Sequence, residues 1–161
     1  KGRKFRYIAL DNVPAMVGRA KQKLGNDPRA RVVCADVIKY KYRPCSLFLS
    51  YYTIQFIKPF QRQDLINKIY KSLEWGGAAI IYEKIRGPDA RFQDILSQLY
   101  VDYKLHQGFR EDEIVHKTRS LKGALEPFST AGNIGLLKRA GFVDIMVVHK
   151  YLCFEGYLCI K

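Results

Sequence analysis

The sequence predicts an α/β protein built on a doubly wound, mainly parallel β-sheet with an antiparallel hairpin at its C-terminal end. Three observations support this fold class. Apolar segments of strand length alternate with segments of helical period along most of the chain, which is typical of parallel strands joined by crossover helices. The segment 46–54 is mainly apolar and aromatic, as expected where both faces of a parallel strand are covered. Two predicted strands then follow each other directly at the end of the chain.

The N-terminal elements are a strand and a helix. We predict a strand over 5–10 that ends at Asp11, followed by a helix that runs to Leu24. Asn12 offers a side-chain cap for this helix, and Pro14 suits the first helical turn, where its missing N–H has no intrahelical partner to lose.

The later elements follow from periodicity and from turn residues. Leu65, Ile69 and Leu73 lie on one stripe at helical period, and we interpret Gly76–Gly77 as the stop of that helix. The remaining predicted strands cover 31–35, 46–54, 78–83, 142–149 and 151–160. The predicted helices cover 59–73, 89–106, 111–117 and a segment from Ser129 or Thr130 to Gly141. No repeat or linker interrupts them, which predicts a single domain over 1–161.

Composition excludes several classes of protein. The chain has 161 residues, of which 48% are hydrophobic and 13% aromatic, which is enough for a core and excludes a disordered or fibrous polymer. No apolar run approaches the roughly 18 residues that span a bilayer, so we expect no membrane partner. The four cysteines and three histidines form no metal-binding or disulfide pattern, and free thiols suit the cytoplasm.

The formal net charge of +13 is concentrated at the N-terminal end, where residues 1–43 hold 12 basic and three acidic side chains. A basic surface binds polyanions through phosphate contacts, which makes tRNA a possible partner. The alternative is that the charge reflects an acidic segment missing from the start of this chain.

Two carboxylates follow neighbouring predicted strands. Ligands of open α/β sheets bind beyond the carboxyl ends of the strands, where Asp11 and Asp36 are expected. An ionised carboxylate accepts hydrogen bonds from both hydroxyls of a ribose, and an acid on the next strand can accept from an adenine amino group. The alternative for each acid is a loop residue or a helix cap. The pair therefore predicts a nucleoside site at this edge.

Several sequence motifs resemble one known family. The acids and their neighbours resemble the second and third strand ends of class I S-adenosylmethionine (SAM)-dependent methyltransferases, and more specific segments resemble the carboxy-SAM synthase family. The matching segments are 11–16, 35–37, 53–57, 62–70, 73–78, 83–84, 119–120 and 139–142.

This resemblance implies an activity and a set of site residues. Enzymes of the family convert SAM and prephenate into carboxy-SAM and phenylpyruvate, and a partner enzyme uses the product to modify the wobble uridine of tRNA. By resemblance, Asp11 and Asn12 bind the ribose of SAM or carboxy-SAM, and Asp36 and Val37 bind the adenine. Arg119 pairs with the added carboxylate, which suits the planar fork of a guanidinium; the alternative is a solvated arginine. The resemblance also implies a homodimer.

Two features depart from the family pattern. Tyr51 stands where the family usually has an asparagine that contacts the cofactor, so it either lines a differently shaped pocket or is a packing aromatic. No glycine-rich turn of the GxGxG type is present, from which we expect the chain to begin at the family's second strand and to be incomplete at its N-terminus.

Two alternative functions follow from these departures. One is direct methyl transfer from SAM to tRNA or to a small molecule, which needs little acid–base machinery because the sulfonium is already activated. The other is a truncated, non-catalytic domain that binds RNA or a protein partner through its basic N-terminal quarter. We also expect that no strand of this chain lies between the Asp11 strand and the strand over 46–54.

Overall fold

The computed structural model describes residues 5–161 of the chain. The chain forms two compact units, residues 1–42 (unit 1) and residues 43–161 (unit 2), and each is described by itself.

Unit 1 is a βαβ motif. Strand β1 (Tyr7–Asp11) leads into helix α1 (Pro14–Leu24), which returns the chain to strand β2 (Ala30–Cys34). The two strands pair in parallel, with Ile8 opposite Arg31. Helix α1 buries Val17, and parallel pairing brings the carboxyl ends of both strands to one end of the unit.

The start of α1 differs from the prediction. The N-cap residue is Val13, and the backbone N–H of Val13 donates to Oδ1 of Asp11 over 2.8 Å. The prediction that Asn12 caps this helix is therefore wrong. A carboxylate two residues before a backbone N–H forms this kind of local turn readily, and here it occurs at Asp11.

Unit 2 is a four-stranded mixed sheet with helices. Its elements are β3 (Cys45–Tyr51), a 3-10 turn (Ile54–Phe56), α2 (Pro59–Ser72), β4 (Leu73–Lys84), α3 (Ala90–His106), α4 (Glu111–Ser120), α5 (Thr130–Ala140), β5 (Asp144–Tyr151) and β6 (Phe154–Ile160). The strand order is β3-β4-β6-β5. Strands β3 and β4 are parallel, whereas β6 is antiparallel to both β4 and β5.

The predicted α/β fold class and its C-terminal hairpin, β5–β6, are confirmed. Strand β6 lies between β4 and β5 and buries Tyr157 and Cys159 completely. Helix α2 buries Leu65, Ile66 and Ile69 in the same core.

The prediction that Gly76–Gly77 ends the second helix is wrong. Helix α2 ends before it, and β4 runs directly on from the helix through both glycines. The β3–β4 register shifts between Cys45 and Leu47, Gly76 has a φ of 74°, and a Cβ on Gly77 would lie 3.1 Å from the backbone oxygen of Ser46. The glycines permit this strand irregularity because they have no side chain.

Strand β3 is more exposed than its apolar sequence predicted. Leu49 is 66% exposed and Tyr51 is 69% exposed, so the expectation that both faces are covered is wrong for this strand. Among residues 5–161, β3 pairs only with β4 and β1 pairs only with β2, so each is an edge strand. Helix α3 likewise buries none of its side chains.

Across residues 5–161, no helix combines the length and the apolar character needed to cross a membrane.

Candidate functional site

The two predicted nucleoside-binding carboxylates lie at the same end of unit 1. Asp11 is the last residue of β1 and is paired with Cys34 at the end of β2, and Asp36 follows two residues later. The backbone N–H of Ala35 donates to the carbonyl of Asp11 over 3.0 Å, which continues the strand pairing to this point. Both acids therefore mark the carboxyl edge of a parallel pair, where ligands of α/β sheets bind.

Each of these carboxylates orders its own turn with one oxygen. Oδ1 of Asp11 accepts from the N–H of Val13, and Oδ1 of Asp36 accepts from the N–H of Ile38 over 2.7 Å. Their second oxygens have no hydrogen-bond partner in the described part of the chain. One oxygen of each acid thus fixes the loop, and the other is available to a ligand hydroxyl or amino group.

The other two residues predicted at this edge lie beside the acids. Asn12 is exposed immediately after Asp11. Val37 is half-buried, and its carbonyl accepts the hydroxyl of Tyr42 over 2.8 Å. Burial raises the pKa of the Tyr42 hydroxyl to about 12, so this donor stays protonated at neutral pH.

In unit 2, Tyr51 ends strand β3 as an exposed aromatic residue. Its ring centroid lies 4.4 Å from that of Tyr52 and 5.6 Å from that of Tyr82. Tyr52 has a φ of 53°, a left-handed conformation that is uncommon for residues other than glycine. Its N–H donates to the carbonyl of Tyr82 over 2.8 Å, which anchors this turn to β4. Strained backbone often marks a functional turn. Tyr52 is not among the predicted site residues, because its backbone conformation is visible only in the structure.

Aromatic contacts continue from this turn toward helix α3. The ring of Tyr52 lies 5.4 Å from that of Phe154, which in turn lies 5.3 Å from that of Tyr100. The ammonium groups of Lys84 and Lys104 lie 4.6 and 4.2 Å from the Tyr100 ring centroid, within cation–π distance. Burial lowers the pKa of Lys104, and the nearby charge of Lys84 lowers it further.

Arg119 lies in the last turn of α4 and lines two adjacent cavities between α3 and α4. The larger has a volume of about 720 Å³ and is also lined by Lys104, Phe109, His116 and Lys117. The smaller, of about 560 Å³, has mainly apolar neighbours, including Val101 and Leu105. Arg119 is exposed and forms no ion pair within residues 5–161, so its guanidinium is available to an anion.

Lys104 relates the Tyr51 aromatic contacts to the larger cavity in unit 2. It lies over the Tyr100 ring, where the aromatic contacts from Tyr51 end, and it also lines the larger cavity. Arg119 lines that same cavity, so Tyr51 and Arg119 are related through the cavity and not through a direct contact. Asp11 and Asp36 form their own group in unit 1.

A buried polar cluster, which the sequence did not predict, lies next to the turn that follows Tyr51 and Tyr52. The side chain of Glu83, near the end of β4, accepts from the N–H of Ile54 over 2.9 Å and from the N–H of Gln55 over 2.7 Å. The Gln55 side chain reciprocates by accepting from the N–H of Lys84 over 2.7 Å. These bonds tie the 3-10 turn after β3 to β4. Glu83 followed an apolar strand in the sequence, but only the sheet register shows what it contacts.

Arg62 completes this cluster from helix α2. It is 1% exposed, donates to the carbonyls of Ile57 over 2.8 Å and Gln55 over 3.3 Å, and lies 4.3 Å from the ring centroid of Phe128. Burial raises the pKa of Glu83 to about 7. The backbone hydrogen bonds and the charge of Arg62 act in the opposite direction but have a smaller effect. The cluster holds the turn that follows Tyr51 and Tyr52.

No group of three or more His, Cys, Asp or Glu side chains in the described part of the chain is arranged to hold a metal ion.

Comparison with curated proteins finds the same enzyme name repeatedly. The chain is 36% identical over 159 residues to the carboxy-S-adenosyl-L-methionine synthase of Sulfurimonas denitrificans, covering 98% of this chain and 68% of that protein. It is 34% identical over 147 residues to the synthase of Helicobacter pylori strain G27, with 91% and 62% covered. The synthase of Campylobacter jejuni strain 81-176 is 36% identical over 160 residues, with 98% and 67% covered. The chain thus spans about two thirds of the length of these relatives.

Several solved structures with a similar fold are methyltransferases. The SAM-dependent methyltransferase SibL superposes with a TM-score of 0.65 at 19% identity, covering 97% of this chain and 43% of that one. Human N-acetylserotonin methyltransferase, solved with SAM, has a TM-score of 0.65 at 18% identity, with 97% and 40% covered. The N-methyltransferase NodS of Bradyrhizobium japonicum, solved with S-adenosyl-L-homocysteine, has a TM-score of 0.63 at 14% identity, with 97% and 66% covered. No protein-family model matches the chain.

Proposed function

This chain belongs to the carboxy-S-adenosyl-L-methionine synthase family, and we propose that it takes part in converting SAM and prephenate into carboxy-SAM and phenylpyruvate. The similarity to synthases over 98% of the chain is the observation that carries this proposal. The predicted class, a SAM-dependent transferase with SAM as its cofactor, agrees with this membership and with the methyltransferase fold.

The carboxyl edge of unit 1 is the proposed nucleoside site. Asp11 accepts hydrogen bonds from the ribose hydroxyls, Asn12 also contacts the ribose through its amide, and Asp36 and Val37 bind the adenine. Support comes from the free second oxygens of both carboxylates and from the turns that hold these acids at one end of a parallel pair. A bound SAM supplies an activated methyl group on its sulfonium, and the protein residues here bind and orient its nucleoside part.

Arg119 is the proposed catalytic residue, which pairs with the carboxylate of the carboxylated methyl group. Its guanidinium has no competing ion pair within residues 5–161 and borders a cavity of about 720 Å³. A guanidinium binds a carboxylate through two parallel hydrogen bonds, which a single ammonium cannot reproduce. Tyr51 is proposed to contact the cofactor as well, because its ring is exposed at the end of β3.

We also propose the setting in which the protein works. Its product serves the modification of tRNA wobble uridine by a partner enzyme, the protein acts in the cytoplasm, and two copies form a homodimer. The single domain over 1–161 and the prephenate substrate belong to the same proposal.

The test measures the carboxylated product and cofactor binding separately. Mass spectrometry after incubation with SAM and prephenate should detect carboxy-SAM for the parent protein. Arg119→Ala should lose this product while isothermal titration still detects SAM binding. Lys122→Ala, which removes a neighbouring exposed charge, is the matched control and should keep the product.

Two outcomes would overturn the proposal. Equal loss of SAM binding and product in Arg119→Ala would assign this residue to structure. Methylation of an added acceptor without any carboxy-SAM would assign the protein to direct methyl transfer.

A further inference from the structure

Unit 1 separates its charges along the β1–β2 strand pair. Asp11 and Asp36 lie at the carboxyl end, and the N-terminal end carries Arg6, Arg29 and Arg31. Ile8 pairs with Arg31 and the N–H of Tyr7 donates to the carbonyl of Arg29 over 2.9 Å, so Arg6 and Arg29 are neighbours across the strands. Strand rise places the two ends of a five-residue strand about 13 Å apart. The basic end is therefore distinct from the proposed nucleoside site.

Most of this positive charge is not neutralised within the unit. Among the described residues of unit 1, Asp27 is the one carboxylate near the basic end, and it pairs with Arg29 over 2.7 Å. The Arg29 hydrogen bonds hold the pKa of Asp27 at about 2, so the pair is complete at neutral pH. Arg6 and Arg31 are exposed and form no ion pair in the described part of the chain.

An exposed aromatic residue is built into this basic end. Phe5 is 53% exposed, and its ring stacks with that of Tyr7 at a centroid distance of 6.2 Å and an interplanar angle of 23°. The Arg29 guanidinium lies 4.9 Å from the Phe5 ring centroid. Asp27 pairs with Arg29, and the Arg29 guanidinium lies over the Phe5 ring, so that its outer face can receive a further flat group; we call this stack, beside Arg6 and Arg31, the Phe5–Arg29 platform.

We propose that the basic end of unit 1, formed by Phe5, Arg6, Arg29 and Arg31, binds single-stranded nucleic acid. Arg6 and Arg31 contact the phosphates, for which guanidinium groups are well suited. An unpaired base stacks on the Phe5–Arg29 platform, as bases do on aromatic and arginine planes in proteins that bind single strands. An acidic peptide would use the charges but not the platform. This proposal does not rest on the proposed synthase activity.

The neighbouring basic residues extend the same positive field. Arg19, Lys21 and Lys23 are exposed on helix α1. Arg3 and Lys4, which the charge pattern also assigned to a nucleic-acid surface, lie outside the described residues.

The first experiment measures the salt dependence of binding. Anisotropy of a fluorescein-labelled 16-nucleotide RNA, and of DNA of the same sequence, is titrated with the full chain between about 50 and 200 mM KCl. Each phosphate contact contributes about 0.7 to the slope of log K against log salt for single strands. Arg6→Gln/Arg31→Gln should therefore reduce this slope by about 1.4. Lys58→Gln/Lys138→Gln, two exposed lysines of unit 2, should leave it unchanged.

The second experiment isolates stacking from charge. Phe5→Ala should weaken RNA binding by about fivefold or more, since stacking contributes about 1–3 kcal/mol per base. The same variant should leave the affinity for inorganic polyphosphate unchanged, because polyphosphate has no base. DNA that binds as well as RNA would identify a general single-strand site, and a preference for RNA would identify the 2′-hydroxyl as a contact.

Three results would overturn the proposal. They are a flat salt response, an equal change in slope for the two double variants, and unchanged RNA affinity in Phe5→Ala. Far-UV circular dichroism of each variant checks that the fold is retained, and carboxy-SAM production is measured separately, so failure of one proposal does not affect the other.

Discussion

Replacing Glu83 by glutamine should change how the stability of the protein depends on pH. Glu83 is 2% exposed, and burial raises its pKa from an ordinary value of 4.5 to about 7. A carboxyl group with a raised pKa stabilises the fold while it is protonated. That contribution is present below pH 4.5, is lost as the pH rises toward 7, and stays lost above it.

The expected magnitude follows from the size of this shift. A change from 4.5 to about 7 corresponds to about 3 kcal/mol of unfolding free energy, of which about 2 to 3 kcal/mol is lost between pH 5 and pH 8. Glutamine does not ionise, so the variant does not lose this contribution. Its amide does place an N–H group opposite a backbone N–H of Ile54 or Gln55, which costs about 1–3 kcal/mol at every pH. The change between the two pH values, not the absolute difference, is the measured quantity.

Urea unfolding at pH 5 and pH 8, followed by circular dichroism, gives both free energies. Relative to the parent protein, Glu83→Gln should gain about 2 to 3 kcal/mol on going from pH 5 to pH 8. Glu74→Gln, at an exposed position of the same strand, is the matched control and should follow the parent protein. Parallel pH dependence in the parent and Glu83→Gln would refute the reasoning, and so would a relative gain by the parent at pH 8.

Three further substitutions test the core and two of the helices. Arg62→Met should lower the unfolding free energy by about 1–3 kcal/mol because the carbonyl of Ile57 loses its donor, while the carbonyl of Gln55 keeps only the N–H of Glu126; a loss below about 0.5 kcal/mol in urea unfolding would contradict this. Gly141→Ala should destabilise by more than about 1 kcal/mol, since Gly141 has a φ of 114° and a Cβ there would lie 2.8 Å from the Tyr70 ring. Gly18→Ala, in helix α1 with no atom within 4 Å of the added Cβ, should instead stabilise by about 0.5–1 kcal/mol, and equal thermal midpoints for the two alanine variants would refute both expectations.

Local sequence patterns determined much of the secondary structure. Helix α1 ends at Leu24 as predicted, Ser129 caps α5, and Gly141 ends it in the left-handed conformation. These features depend on residues within a few positions of each other, because caps and periodicity are local properties. The family was also identifiable from short motifs, and the relatives confirm it.

Tertiary structure decided what the local patterns could not. The segment Gly76–Gly77 is typical of a helix stop, yet it lies in β4, because the N–H of Gly76 donates to the carbonyl of Lys161 and the carbonyl of Gly77 accepts from the N–H of Lys161. The exposure of β3 depends on its position at a sheet edge, which no local pattern records.

The features of the candidate site can likewise be separated into those that the sequence determined and those that only the tertiary structure determined. The sequence by itself determined that acids follow two strands of a parallel sheet, and it marked Arg119 and Tyr51 through the family resemblance. Only the fold brought Glu83 and Arg62 to the turn after Tyr51 and placed Arg119 and Lys104, which lies over the Tyr100 ring, around one cavity. These partners are distant in sequence, and their contacts exist only once strand order and register place them side by side.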